Sequence, residues 1–364
     1  MESKIEANSE INDIRQQPQF KGVSFSNYKR ADVRNQLIDN IKNGRLEQCC
    51  YWCAELICAG HYMEVWETIL HYVGKHIHLG NPKIVVYLEK RYEVFRNIMG
   101  QGQVLNELQL RNNPTIRKLF AEIICTLALS NKKHSFEPIK INREEEFDMT
   151  QMTERLKAPS VQYIESIFKK EDPKELYIAI NEFAYNISVD KHSMVGASYW
   201  IEWAVDFDAI CNKRKTPIYC EARNAVPVEK KYKRDIIWIL WDTLFYYSDK
   251  MHNPFIETLM KSIFNLFCIK YTTASCKKRR YLLYFAVALL TEPVPTAVDI
   301  ITPANKPIIQ NATDKINAIY KQIKKQEVSP GTDYLFANLE RENNFEKSMS
   351  KMNLLNSMDG LNRK

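Results

Sequence analysis

Apolar residues recur along most of the chain at steps of three and four, the period of an α-helix with one face on a core. The stretch from residue 46 to 57 shows this spacing, with Leu46, Cys49, Cys50, Cys53 and Ile57 on one helical face. The strict alternation of apolar and polar residues that is typical of strands is scarce. Glycine, with 10 residues in 364, is scarce as well. The pattern therefore predicts an all-α protein.

The helical pattern occurs twice. The heptapeptide WETILHY at 66–72 returns as WDTLFYY at 241–247, with the same residue classes in the same order. An Asn-Pro pair follows each, and in such a pair Asn caps a helix whose first position is Pro. A phenylalanine lies fourteen residues after each Asn, and the matched residues are Asn81, Pro82 and Phe95 in one copy and Asn253, Pro254 and Phe267 in the other. We therefore predict a tandem duplication of a four- to five-helix unit.

The duplication divides the chain into segments. The predicted segments are a polar N-terminal tail (1–27), unit 1 (28–133), an acidic irregular linker (134–159), unit 2 (160–292), a proline-rich segment with one helix (293–339) and a flexible polar tail (340–364). The helix of the fifth segment is expected to be amphipathic, with Ile316, Ile319, Tyr320 and Ile323 on one face. The last segment is expected to order, if at all, on a partner.

Basic residues concentrate in two places of unit 2. An insertion at 212–235, which unit 1 lacks, holds eight basic and three acidic residues, and its two prolines indicate an exposed loop. A second basic cluster stands at 277–280, at the start of a predicted helix. Such side chains neutralise the phosphates of nucleic acid or face an acidic protein surface. The candidate contacts are Lys213, Arg214, Lys215, Lys230, Lys231, Lys233, Arg234, Lys277, Lys278, Arg279 and Arg280. For the second cluster, a solvated end that faces an acidic protein or the chain's own acidic linker is an equally good interpretation.

Four cysteines and a histidine lie between residues 49 and 61, with the Cys-x-x-Cys spacing of many zinc sites. On a continuous helix Cys50 and His61 are separated by about 16 Å, whereas zinc needs four ligands around one point. Because the thiols fall on the predicted core face, we expect small, buried, inert side chains and no metal or cofactor. A zinc site, and with it an enzymatic function, would require a kink at Gly60.

Other residues with chemical potential have a packing interpretation beside the functional one. His71, His76 and His78 are expected to face solvent or cap a helix, since Gly74 and Gly80 indicate that the helix frays there. The tryptophans could stack bases, but their helical spacing and recurrence favour core packing. The sequence contains no nucleotide-binding loop, nucleophile elbow or paired-carboxylate motif. It therefore predicts no enzymatic activity.

Charge and hydropathy set few further limits. A net charge of +7 permits contact with nucleic acid without requiring it. The longest uncharged apolar run, YLLYFAVALL at 281–290, is far shorter than the roughly 20 residues of a membrane span. The N-terminal residues are polar and lack an export signal. We therefore expect an intracellular protein with reduced thiols, located in the cytoplasm, the nucleus or a virion.

Residues 35–82 contain a Tyr-Trp helix that ends at a glycine, then an amphipathic helix, then a turn into the next helix. In sequence these features are Tyr51-Trp52, Gly60 and the turn IHLGNP at 77–82. In this order they resemble the C-terminal helical domain of the clamp-loader-related ATPases of the replication-associated recombination family. His78 stands where that family has glycine, and the ATPase phosphate-binding loop is absent from the sequence. The resemblance implies the family's oligomerisation collar without its ATPase domain.

These features together predict a non-enzymatic α-helical module that binds protein partners, including copies of itself, and contacts the DNA backbone. The resemblance implies an accessory in DNA replication or repair, and the Lys-, Asn- and Ile-rich composition suggests an AT-rich genome, such as that of a large DNA virus or a protist. The alternative is a structural virion protein of such a virus, a minor capsid or internal component whose helical faces pack against identical neighbours.

Overall fold

α-Helices and irregular connections make up the chain wherever its structure is described. The structure, a computed structural model, describes residues 9–100, 107–142 and 155–328. These ranges contain no β-strand, and their β-structure is limited to one isolated bridge between Val23 and Lys29. The predicted all-α class is confirmed.

Local signals explain the helix ends of the first half, residues 9–142. The side chain of Asn113 accepts hydrogen bonds from the N–H groups two and three residues further on, and Pro114 takes the first helical position. Gly44 and Gly60 follow helix ends with φ of +68° and +77°, a conformation that glycine adopts without strain. The helices are α1 (Arg30–Lys42), α2 (Leu46–Cys58), α3 (Tyr62–Tyr72), α4 (Ile84–Gly100) and α5 (Pro114–Leu129).

The sequence predicted that the helix frays at Gly74 and Gly80, but the chain after α3 stays ordered. It continues into one turn of π-helix, Val73–Ile77, which we call the π-turn, and a 3-10 turn, His78–Gly80. A Cβ atom on Gly74 would lie 2.8 Å from the carbonyl carbon of Tyr281. Glycine is therefore required here because the backbone of a later helix packs directly against the turn.

The second half, residues 155–291, has the same kind of helical signals. The side chain of Asn253 accepts hydrogen bonds from two N–H groups at the start of its helix, as predicted. The arms of the basic insertion connect two of the helices, and the single turn Ser275–Lys278 precedes the last one. The helices are α6 (Tyr177–Ile187), α7 (Met194–Lys213), α8 (Ile237–Lys250), α9 (Pro254–Phe267) and α10 (Arg280–Thr291).

The matching prediction for Asn81 is wrong. Helix α4 begins at Ile84, and the side-chain amide of Asn81 instead donates to the carbonyl oxygens of Asp299 and Ile300, at 3.3 and 3.2 Å. The preceding 3-10 turn places Asn81 against the returning C-terminal segment, so that its side chain ties two distant parts of the chain together.

One hydrophobic core runs through both halves. Helix α4 packs against α9, and α10 packs against the π-turn that follows α3. Polar contacts accompany this packing, because the carboxylate of Glu89 in α4 accepts hydrogen bonds from Ser262 and Asn265 in α9. The two predicted units are therefore parts of one folded body.

The chain returns to the first half after α10. Helix α11 (Lys306–Asp314) packs against α5, and α12 (Ile316–Lys324) packs against α2. The predicted apolar face of α12 is confirmed, with Ile316, Tyr320 and Ile323 buried and Ile319 half-buried. The guanidinium of Arg117 in α5 stacks on the Tyr320 ring, 3.9 Å from its centre.

Matched residues of the two predicted units have similar surroundings. The rings of Trp66 and Phe95 have their centres 5.9 Å apart, and those of Trp241 and Phe267 are 5.3 Å apart. The acidic residue after each tryptophan pairs with a buried arginine. These likenesses agree with a duplication, which itself stays a prediction.

The N-terminal segment differs from the predicted polar tail. Ile11, Phe20 and Phe25 are buried against the first half, and the buried carboxylate of Glu55 in α2 accepts hydrogen bonds from the hydroxyl and backbone groups of residues 24 and 26. The correction applies to residues 9–27; residues 1–8 lie outside the described part. A few apolar anchors in a polar stretch were enough to hold it on the core.

The predicted linker also contains packed residues. Phe136 is buried and stacks on His78, with the ring centres 4.0 Å apart. The backbone N–H of Phe136 donates to the carbonyl oxygen of Lys75 at 3.0 Å. Linker residues 143–154 and the tail predicted at 340–364 lie outside the described residues.

Candidate functional site

A half-open cavity of about 440 Å³ lies in the second half. Its walls are the C-terminal part of α7, the basic insertion, and residues 271–277 before α10. Lys231 of the insertion and Lys277 of the second basic cluster both line it. The fold therefore brings the two basic regions predicted from the sequence to one place.

The insertion is a lobe anchored on the core. Two backbone hydrogen bonds of 2.9 and 3.0 Å join its outgoing and returning arms. Arg223, which is 4% exposed, donates to both carboxylate oxygens of Asp172 at 2.6 and 2.8 Å and to Asp242 at 2.8 Å. Burial acts to raise the pKa of Asp172, but hydrogen bonds from Arg223 and the backbone hold it below its usual value. This buried ion pair holds the lobe in place beside the cavity.

Two carboxylates lie in the cavity lining, Asp208 of α7 and Asp235 at the end of the insertion. Asp235 accepts hydrogen bonds from the hydroxyl groups of Tyr271, at 3.0 Å, and Thr273, at 2.8 Å. Burial raises the pKa of Asp208 to about 6, and the negative charge of Asp235 contributes to the shift. Burial also raises the pKa of Asp235. The shifted pKa values indicate that cations of the chain compensate these carboxylates poorly.

The lysines of the cavity lining pair with other acids. Lys231 lies 3.0 Å from Glu229, and Lys277 lies 3.2 Å from Asp206. Asp208 and Asp235, which we call the floor carboxylates, form no ion pair within the described ranges. Their oxygens are hydrogen-bond acceptors that a ligand with N–H groups would meet.

Most candidate contacts of the insertion are exposed, and Lys233 alone among them is half-buried. Lys231 and Lys277 line the cavity themselves. Lys213 directly follows the lining residue Asn212 in the chain, and the guanidinium of Arg234 lies 5.7 Å from the centre of the ring of Tyr219, which also lines the cavity. We call the exposed cations of the insertion and of the second cluster the basic rim: Lys213, Arg214, Lys215, Lys230, Lys231, Arg234, Lys277 and Lys278.

The second cluster, 277–280, faces acids of its own chain except at one residue. Arg279 is 1% exposed, and its Nε donates to Glu67 of α3 at 3.1 Å. Arg280 pairs with Glu202 of α7 at 3.0 Å. Lys278 is exposed and has no ion-pair partner among the described residues. Arg279 is therefore inaccessible to a partner, and the acids that pair with the cluster among the described residues belong to α3 and α7.

All nine cysteines are buried, as predicted for those between residues 49 and 58. The sulfur atoms of Cys50 and Cys125 lie 3.6 Å apart, where α2 meets α5. Nε2 of His61 lies 3.0 and 2.8 Å from two backbone carbonyl oxygens of the N-terminal segment. No three His, Cys, Asp or Glu side chains are placed to hold a metal ion within the part of the chain that the structure describes.

The prediction that the histidines after Trp66 face solvent is wrong. His76 and His78 are buried, because the turns after α3 place them against residues 134–136. His71 is half-buried in α3, and its ring lies 5.2 Å from that of Tyr281 in α10. Nε2 of His78 lies 2.7 Å from the carbonyl oxygen of His134. Burial lowers the pKa of all three imidazoles to about 4. They are neutral core residues at physiological pH.

Tyrosines, and not tryptophans, supply the accessible rings of the site. Five of the six tryptophans are buried and Trp52 is half-buried, which confirms the core-packing interpretation. Tyr219, 51% exposed, lines the cavity together with Tyr232 and Tyr271.

The sequence did not indicate the floor of the cavity. Asp208 and Asp235 come from different segments, and neither belongs to a motif with a recognisable spacing. The one available signal was the occurrence of Tyr219 and Asp235 within a basic insertion, a mixture of residue types that a purely solvated loop does not need.

Comparison of the chain with protein-family models, with curated proteins and with solved structures found no match. No helix in the described ranges has the length and hydropathy needed to cross a bilayer. The cavity and its basic rim are therefore the features from which a function can be argued.

Proposed function

We propose that the chain is a non-enzymatic α-helical module that binds the phosphate backbone of nucleic acid through the basic rim. In this proposal it assembles with protein partners as an accessory in DNA replication or repair. One observation carries the proposal. Two basic regions that are separate in sequence meet at one cavity, and most of their exposed cations form no ion pair with any described residue.

The charge arrangement favours a polyanionic ligand. Lys213, Arg214 and Lys215 are consecutive and exposed, and within the described ranges they form no ion pair. Holding three like charges close together costs electrostatic free energy. The phosphates of a bound nucleic acid would offset this cost, and the counterions condensed on them would be released on binding.

The process, DNA replication or repair, is supported by the resemblance of residues 35–82 to a clamp-loader-like collar. That segment forms α1 to α3 and the turns after them. Helix α12 covers α2, and α10 covers the π-turn. The collar-like helices thus contribute to the core of this chain, and we infer that its protein partners bind elsewhere on the surface.

The backbone-binding proposal is tested by fluorescence polarisation with a labelled single-stranded oligonucleotide at several salt concentrations. We expect log Kd of the unmodified chain to rise linearly with log salt concentration, because binding releases counterions. The triple variant Lys213→Ala, Arg214→Ala, Lys215→Ala should bind more weakly, with a salt slope reduced by about 2 to 3. Arg279 is unsuitable for this test because its loss would disturb the core.

A matched control removes the same charge elsewhere. Lys21, Lys118 and Lys321 are exposed and lie outside the rim, so their triple alanine variant should keep the salt slope of the unmodified chain. An equal loss of affinity and of salt slope in the two triple variants would show that net charge, and not the rim, drives binding. Absence of any binding at low salt would contradict the proposal and favour the structural virion protein, whose own test is abundance in purified particles.

A further inference from the structure

We propose that the cavity takes one unstacked nucleobase of a single-stranded nucleic acid, while the flanking phosphates lie on the basic rim. The inference rests on the proposed function and adds to it a site for the base. Asp208 and Asp235 would accept hydrogen bonds from the base, and Tyr219 would stack on it.

The size and shape of the cavity fit this ligand. Its volume of about 440 Å³ lies in the range of small-molecule sites. The stacked bases of a duplex could not enter a half-open cavity of this kind, whereas single strands expose bases at low cost. Its lining residues include Val205, Ile218 and Ile236, which give a flat ring apolar side chains to pack against.

The polar groups of the lining match a base. Neither floor carboxylate has an ion-pair partner among the described residues, so each retains acceptor capacity for the N–H groups of a base. Asp235 is held by hydroxyl groups of Tyr271 and Thr273, which orient its carboxylate. Tyr219 is half exposed and lines the cavity, so its ring is accessible to a base.

The contrast between floor and rim distinguishes a nucleotide from a simple cation. An amine or a basic peptide would suit the two carboxylates, but the exposed cations of the rim would repel it on approach. A nucleotide carries N–H donors at one end and a phosphate at the other. It therefore satisfies the acidic floor and the basic rim together.

The same chemistry predicts a base preference. Guanine presents N1–H and N2–H side by side, which match the two oxygens of one carboxylate. Thymine presents a single N3–H between two carbonyl oxygens, which a carboxylate would repel. We therefore expect guanine to be preferred over thymine in the cavity.

The test compares oligo(dT) with the same oligonucleotide carrying one central guanine, by fluorescence polarisation at fixed salt. We expect about tenfold tighter binding of the guanine oligonucleotide. Asp208→Asn should abolish this preference while salt-dependent binding remains. Tyr219→Ala should weaken binding of both oligonucleotides about fivefold or more through lost stacking.

The control is Asp249→Asn, which removes an exposed carboxylate outside the cavity and should leave the guanine preference unchanged. Tyr219 is an exposed side chain, so its variant remains informative if Asp208→Asn fails to fold. Salt-dependent binding with equal affinity for both oligonucleotides would overturn the base site and leave the proposed function standing. Absence of binding to either oligonucleotide would overturn both, and a guanine preference that survives Asp208→Asn would overturn the assigned role of the cavity.

Discussion

Lys278 and Arg279 are neighbours in the sequence and have opposite environments. Lys278 is exposed without an acid beside it among the described residues, whereas Arg279 is 1% exposed and pairs with Glu67 across the two halves. Removing one partner of a buried ion pair costs about 3 to 5 kcal/mol of stability, because the remaining charge stays buried without a partner. Arg279 is thus a core residue in spite of its charge, and Lys278 remains a candidate contact.

His78 should make the stability of the protein depend on pH. Burial lowers its pKa to about 4, from the value near 6.5 of an exposed histidine. Between these two pH values the unfolded chain binds a proton that the folded chain does not, so the free energy of unfolding falls as the pH decreases. At pH 5 this loss amounts to about 2 kcal/mol for one such histidine. We expect urea unfolding at pH 7 and pH 5 to show it.

The variant His78→Gln isolates this effect, because glutamine stays neutral at both pH values and keeps an N–H donor. Its loss of stability from pH 7 to pH 5 should be about 2 kcal/mol smaller than that of the unmodified chain. His192→Gln, at an exposed position, should leave the pH dependence unchanged. The same pH dependence in His78→Gln and in the unmodified chain would contradict the prediction.

The Asn-Pro pairs show how far a local sequence signal predicts the start of a helix. Such pairs stand at residues 81, 113 and 253. The side chains of Asn113 and Asn253 cap helices, as the pair predicts, whereas Asn81 binds backbone carbonyl groups of a distant segment. The chemistry of the pair is the same in all three places. Only the contact with residues 299–300 distinguishes them.

The π-turn after α3 should depend on the absence of a side chain at Gly74. A Cβ atom there would lie 2.8 and 2.9 Å from the carbonyl carbon and oxygen of Tyr281. No side-chain rotation can relieve this contact, because the backbone fixes the position of Cβ. Gly74→Ala should therefore push α10 away and lower the free energy of unfolding by about 1 to 3 kcal/mol, the cost of overpacking. Urea unfolding measures the loss.

The control is Gly100→Ala at the end of α4, where nothing lies within 4 Å of an added Cβ atom. This variant should be neutral or slightly stabilising, since alanine has the higher helix propensity. A Gly74→Ala protein as stable as the Gly100→Ala protein would mean that the two backbones do not approach as closely as described.

At the scale of the whole molecule, the two halves and the C-terminal helices depend on one another. The core is continuous, and α12 buries Tyr320 and Ile323 against the first half after the chain has passed through the second. Part of the apolar surface of each half is therefore covered by residues from elsewhere in the chain.

Fragments 1–148 and 149–364 should therefore form a complex when they are co-expressed. We expect a tagged C-terminal fragment to retain the N-terminal fragment in a 1:1 ratio, since the apolar surface of each is covered by the other. Size-exclusion chromatography with mass determination measures the ratio.

A matched C-terminal fragment that ends at residue 304 lacks α11 and α12 and should retain much less of its partner. Two fragments that each fold and elute as separate monomers would show that the predicted units are independent domains after all.

The periodicity of apolar residues was enough to predict the all-α class, the buried cysteines and the apolar face of α12, because these depend on which side of a helix is apolar. The sequence also predicted the position of the basic insertion in the chain, since its excess of basic residues can be counted directly. Contacts between distant segments decided the rest: the burial of Arg279 and of the histidines, the role of Asn81, and the meeting of Asp208 and Asp235 in one cavity. A local pattern records what a segment buries, but only the packing of distant segments determines what each buried or polar group faces.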